Sequence, residues 1–213
     1  MPRKKKLTAD ERRGLLDHNT RFLRKLFKKR QYIIGLDLGT HITGFSYSNS
    51  KDEKRSTTMK MVGEGNLQKR IQKISETFEH VIEKSVEKRN TIAILEDYAY
   101  RGTSVVQIAE LGGILKLSLY KHGIPYFTLA PQTLKKSVLG PSKKGTGTMK
   151  QNMMVEVLDR WGKKFTDDNE CDAFCLAMFL FGVKDFVFGE ERMKKWAELM
   201  FKDFITNRGM PVL

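Results

Sequence analysis

Three acids in this 213-residue chain each interrupt an apolar stretch. Asp37 closes Tyr32-Ile33-Ile34-Gly35-Leu36-Asp37, and Glu96 closes Thr91-Ile92-Ala93-Ile94-Leu95-Glu96. Asp172 stands ahead of Ala173, Leu176, Ala177, Phe179 and Leu180, which recur at helical spacing. Most Asp and Glu are solvated surface groups, so acids set into buried elements point to a task. Carboxylate oxygens suit hard divalent cations. Two such ions about 4 Å apart can activate a water and neutralise charge on a transferring phosphate, so the chemistry this trio suggests is metal-assisted phosphodiester hydrolysis.

A fold able to bring the three together places one acid at the end of a strand, the second at the end of its neighbour, and the third on a helix packed across both. The apolar, β-branched runs 32–37 and 91–96 read as buried strands. Ile42 to Ser48 alternates as a half-buried strand forming a hairpin with the first, and 51–62 supplies a third strand of that antiparallel set. Leu67, Ile71, Ile74, Phe78, Ile82 and Val86 predict an amphipathic helix within 66–88. A helix over 103–121, containing Gly112-Gly113, ends at His122-Gly123-Ile124-Pro125 and leads to a strand from Tyr126 to Leu129. Further helices are expected from Met149 to about Trp161, from Thr166-Asp167-Asp168-Asn169-Glu170 onward, and from about Glu190 to Ile205. In the last, Met193, Trp196, Ala197, Met200, Phe201 and Phe204 form a packing stripe. The class is α/β, a mixed five-stranded sheet flanked by helices.

Charge points to a polyanionic partner. Lys and Arg number 39 against 25 Asp and Glu, a formal net charge of +14. Residues 1–30 hold 12 basic and 3 acidic side chains, so most of the excess lies in an N-terminal arm. Thr8-Ala9-Asp10-Glu11 starts a helix there, whose stripe of Leu15, Leu16, Phe22, Leu23, Leu26 and Phe27 docks on the surface or leaves its lysines and arginines to contact phosphates. A mitochondrial leader is disfavoured by Asp10, Glu11 and Asp17. Residues 140–148, Gly-Pro-Ser-Lys-Lys-Gly-Thr-Gly-Thr, form a second basic element, a loop. The division expected is an arm at 1–30, a core at 31–182 and a helical extension at 183–213. Cys171 and Cys175, without a second pair, make neither a zinc site nor a disulfide framework and read as core residues. No run suits a membrane span or a secretory signal, so a soluble intracellular protein is expected, in the cytoplasm of a bacterium or a phage-infected host.

Gly35-Leu36-Asp37-Leu38-Gly39-Thr40-His41-Ile42-Thr43-Gly44-Phe45 resembles the first motif of the RuvC-type Holliday junction resolvases, in a viral or phage-like variant. Ile94-Leu95-Glu96 resembles the second, followed by a helix similar to Gln107–Leu119. Ala130-Pro131-Gln132-Thr133-Leu134-Lys135-Lys136-Ser137-Val138-Leu139-Gly140 is similar to the third, and Asp172-Ala173-Phe174-Cys175-Leu176-Ala177 to the fourth. The resemblance covers about 32–182. It implies an RNase H-like fold, a homodimer acting on branched DNA, and Mg²⁺ as the cofactor with Mn²⁺ as a substitute. It puts Asp37, Glu96 and Asp172 in the metal-binding positions and matches Lys135 and Lys150 to basic positions near the scissile phosphate. The family's second acid, three residues before the last, is here Asn169. Asn169 could ligate through its carbonyl, Asp168 or Glu170 could take its place, or Asn169 could serve near the helix cap. Tyr100 and Arg101, following the Glu96 strand, and Lys136, Lys143 and Lys144 are candidate DNA contacts.

Asp37-Leu38-Gly39-Thr40 also resembles the phosphate loop of the actin and sugar-kinase ATPases, but those need a second domain and a second Asp-Gly motif, so no nucleotide cofactor is expected. A non-catalytic nucleic-acid module, with Tyr98, Tyr100, Tyr126 or Phe127 stacking on bases, is another alternative. So is a broader nuclease of forks and flaps. Residues 105–119 and 193–204 are candidate dimer faces.

Overall fold

The computed structural model describes residues 7–49, 56–97, 105–140, 148–190, 193–208 and 210–212. Three strands run antiparallel in sequence order: β1 (Tyr32–Asp37), β2 (Ile42–Ser48) and β3 (Ser56–Val62). Then β4 (Thr91–Glu96) and β5 (Tyr126–Leu129) add in parallel on the other side of β1. The order is β3-β2-β1-β4-β5. β1 therefore lies in the centre of a mixed sheet, which is why its sequence is apolar on both faces rather than alternating.

Helices cover both faces. α2 (Leu67–Ser85) and α3 (Val105–Lys121) pack on one, where Ile71, Ile74, Phe78 and Ile82 meet Ile34, Leu36, Leu95, Leu111, Leu115 and Leu119. A turn of 3₁₀ helix at Lys88–Asn90 follows α2, which ends at Ser85. The other face is organised by α6 (Asp168–Phe188), surrounded by α1 (Ala9–Lys29), α4 (Pro131–Leu139), α5 (Met149–Trp161) and α7 (Lys195–Arg208). Thirteen residues of α6 are buried. A helix apolar nearly all round belongs inside a core, and this one lies between the sheet and the outer helices.

Local sequence sets the helix ends. Thr8 and Glu11 form a reciprocal capping box on α1, Thr148 and Gln151 do the same on α5, and Pro131 opens α4. Gly162 and Gly189 end α5 and α6 in the left-handed conformation, each with φ +70°. The final helix starts at Lys195, later than its apolar stripe suggests.

The arm helix is a packed element. Leu23 and Phe27 are buried in the core that α6 organises, Asn19 Nδ2 donates to the Ile205 carbonyl at 2.7 Å, and Arg24 Nε donates to the Val187 carbonyl at 2.8 Å. Arg30 Nη1 donates to the carbonyls of Lys88, at 2.9 Å, and of Arg89. Arg24 and Arg30 are thus committed to backbone carbonyls, while Arg12, Arg13, Arg21, Lys25, Lys28 and Lys29 stay exposed. α6 runs unbroken through residue 182. Cys171 and Cys175 are buried free thiols. Among the described residues, no helix is long and apolar enough to cross a membrane.

Candidate active site

The parallel register aligns Leu36 with Leu95, so the next residues, Asp37 and Glu96, end their strands side by side. Neighbouring strands lie about 4.8 Å apart, close enough for the carboxyl groups to interact, and here each acts on the titration of the other. Asp37 is 9% exposed. The turn beyond it is pinned by Thr43, whose Oγ1 donates to the Gly39 carbonyl at 2.8 Å.

α6 brings the third acid across the sheet, and two strand glycines set its height. A Cβ on Gly35 would lie 2.0 Å from the Ala173 carbonyl oxygen, and one on Gly44 would lie 2.0 Å from that of Asn169. Any side chain at either place would push the helix off the strands. Asp167 caps α6, its Oδ1 accepting from the backbone N–H groups of Asn169 at 3.0 Å and Glu170 at 3.2 Å. Lys60 of β3 pairs with Asp167 Oδ2 at 3.4 Å, tying the start of α6 to the sheet. Gly35 and Gly44 both belong to the motif around Asp37, whereas Lys60 lies outside every motif. A glycine within an apolar strand is a mark of close backbone approach, so Gly35 and Gly44 carried a usable signal. Lys60 carried none.

Electrostatics show how tightly the acids are gathered. Burial and then the neighbouring Glu96, with a further contribution from Asp168, push the Asp37 carboxyl well above the usual range. Burial, together with the charge of Asp172, raises Glu96. Burial, Asp37 and Asp168 push Asp172 up to about 7. Two lysines oppose this. Lys135 of α4 is half-buried and its charge acts on Glu96 and Asp172. Lys150, in the first turn of α5, pairs with Asp168 Oδ2, and its charge acts on Asp37 and Asp172. The cluster thus holds four acids, Asp37, Glu96, Asp168 and Asp172, facing two ammonium groups. Such a donor set fits divalent cations, because a cation relieves the repulsion that raises these carboxyls.

Asn169 reaches α6 beside this group, with its Nδ2 donating to Asp167 Oδ1 at 3.2 Å. Lys136 is exposed. Tyr98, Tyr100, Arg101, Lys143 and Lys144 lie outside the described residues. Tyr126 and Phe127, possible stacking aromatics, sit within β5, where Phe127 is buried.

Among the described residues, the compact trio of metal-type ligands is a different one, Glu79, Glu83 and His122, with ligand atoms within 4.8 Å of one another. Asp37, Glu96 and Asp172 do not close into so small a cage. There His122 Nε2 lies 2.7 Å from Glu79 Oε2, a side-chain hydrogen bond joining α2 to the end of α3, at the opposite end of the parallel strands from the acids.

The family model for the crossover junction endodeoxyribonuclease RuvC matches residues 33–179. The chain belongs to the RuvC family. Among curated relatives, RuvC proteins from Chlamydia trachomatis serovars L2 and A are 32% identical over 96 residues, 43% of this chain. The match spans about half of those relatives' length, 55%. The fold agrees with Thermus thermophilus RuvC solved in complex with a Holliday junction substrate, with a TM-score of 0.56, 15% identity, and coverage of 70% of this chain and 92% of that one. A second T. thermophilus RuvC structure gives a TM-score of 0.53 at 14% identity, covering 85% and 99%. These neighbours bear out the RNase H-like sheet expected from the RuvC resemblance. The matched span holds every member of the carboxylate cluster.

Proposed function

We propose that this chain is a metal-dependent endonuclease that resolves four-way DNA junctions by phosphodiester hydrolysis. The observation carrying this reading is the convergence of Asp37, Glu96 and Asp172, with raised carboxyl pKa values, on Lys135 and Lys150. Bound Mg²⁺, or Mn²⁺ in its place, would supply Lewis acidity and an activated water. Asp37 and Glu96, fixed on adjacent strands, would hold it from the sheet, and Asp172 from the helix above. Lys135 and Lys150 each bring an ammonium to the edge where a scissile phosphate would lie, stabilising charge that develops on its oxygens. Exposed Lys136 extends that edge along α4, and Tyr100, Arg101, Lys143 and Lys144 are proposed as further DNA contacts.

Paired nicking needs two such sites, and α3 offers the face for a second copy. Val106, Ile114, Leu117 and Tyr120 recur along one side of it and are between 41% and 69% exposed. Joined to the same face of a second copy, they would form a self-complementary interface.

The test is cleavage of a labelled synthetic four-way junction beside a fork and a linear duplex, with Mg²⁺, Mn²⁺ or EDTA. Symmetric metal-dependent nicks in the junction alone support the proposal. Equal cutting of junction and fork replaces it with a general branch nuclease.

A further inference from the structure

Resting on that reading of the cluster, we propose that Asp168, and not Asn169, is the fourth metal ligand of this chain, and that the Lys150 ammonium stands in for a cation on Asp168 until metal displaces it. Asp168 and Asp172 are four residues apart in α6, so their side chains share one face of the helix. Around the helix Asp168 lies about 40° from Asp172 and Asn169 about 60° from it on the other side. The Asn169 backbone carbonyl packs on Gly44 of β2, and its side-chain amide donates to Asp167 Oδ1. Asp167 is itself committed, capping α6 with one oxygen and meeting Lys60 with the other. Glu170 lies about 200° around the helix from Asp168. Asp168 is left as the acid of this turn aligned with Asp172, and its partner is Lys150.

That pair is well placed for exchange. Lys150 is 68% exposed at its side chain, and an ion pair with so exposed a partner is screened by solvent and contributes little. A divalent ion between Asp168 and Asp172 would outcompete it and send the ammonium toward the substrate phosphate. One lysine thereby serves as the internal counterion of the empty site and as a phosphate contact of the loaded one. Moving the acid from the family's place to position 168 keeps the four-carboxylate set while leaving Asn169 to the helix start.

The test is direct Mn²⁺ binding to the full chain, followed by electron paramagnetic resonance titration without DNA. The proteins compared are the wild type, Asp37→Asn, Asp168→Asn, Asn169→Ala and Lys150→Met, each checked for folding by circular dichroism. The expected result is that Asp168→Asn weakens Mn²⁺ binding at least tenfold, Asn169→Ala stays within twofold of wild type, and Lys150→Met tightens it severalfold. Wild-type binding that depends on Asp37 but is unmoved by Asp168→Asn, or lost with Asn169→Ala, overturns this assignment and leaves the nuclease reading standing. Weaker or unchanged binding in Lys150→Met overturns the counterion role. Absence of Asp37-dependent Mn²⁺ binding in the wild type removes both.

Discussion

Asp37 and Glu96 end adjacent parallel strands side by side, so two acids that should repel are held as neighbours on the central strands of the sheet. Burial and this proximity push the Asp37 carboxyl well above its usual range, and burial with the charge of Asp172 raises Glu96. Asp37→Asn should therefore keep the neighbour contact while removing a charge. We expect cleavage to fall roughly a thousandfold or more, the loss of several kcal/mol of metal-held charge stabilisation. Junction binding should be unchanged or tighter, as read by mobility shift in Ca²⁺ or EDTA.

The acid end should also make metal-free stability depend on pH. Asp172 titrates near 4 unfolded and at about 7 folded, so between these values the folded chain binds more protons. Stability in EDTA should fall as pH rises from about 4 through 7, the reverse of a salt-bridged carboxylate. Melting temperatures across that window provide the check. Metal must displace the same protons, so Mn²⁺ affinity should rise with pH toward 8, and calorimetry near pH 6.5 in two buffers should detect proton release.

Gly35→Ala and Gly44→Ala test how α6 is seated. Each added methyl would meet a helix carbonyl oxygen at 2.0 Å unless the helix moved. A loss of about 3 kcal/mol of stability is expected at Gly35, together with a fall in Mn²⁺ affinity as Asp168 and Asp172 shift. Thermal unfolding alongside metal titration separates these effects; unchanged values in both would show that α6 does not depend on the glycines.

The arm should not be detachable. Phe27→Ala should cost about 3–5 kcal/mol, because the ring is buried in the core beside α6. Replacing the exposed Arg12, Arg13, Arg21 and Lys25 with Gln should leave the fold intact and reduce the salt dependence of DNA binding if those side chains meet phosphates. An unchanged slope of log Kd against log salt would assign them to solvation alone.

How much of this the sequence made legible follows from what each signal encodes. The strand at 91–96 and the helix at 149–161 are bounded as their patterns indicate, because apolar runs and caps are local properties. The convergence of Asp37, Glu96 and Asp172 was readable since each acid breaks an apolar element. Asp168 was one of several acids beside Asn169, and only the turn of α6, fixed by Asp167 and Gly44, separates them. The docking of α1 was equally hidden, since Asn19 finds its partner at Ile205, 186 residues away. Composition there reported the charge of the helix and was silent on its burial.

Metal-dependent junction cleavage through Asp37 can be read from a supercoiled plasmid that extrudes a cruciform, incubated with Mg²⁺ and either wild-type protein or Asp37→Asn. Linear plasmid is expected from the wild type, because both strands are cut across the junction in one encounter, and no product from the variant. Metal-dependent cutting that survives Asp37→Asn, or junction binding by the wild type with no cutting in any divalent metal, would contradict cleavage through Asp37.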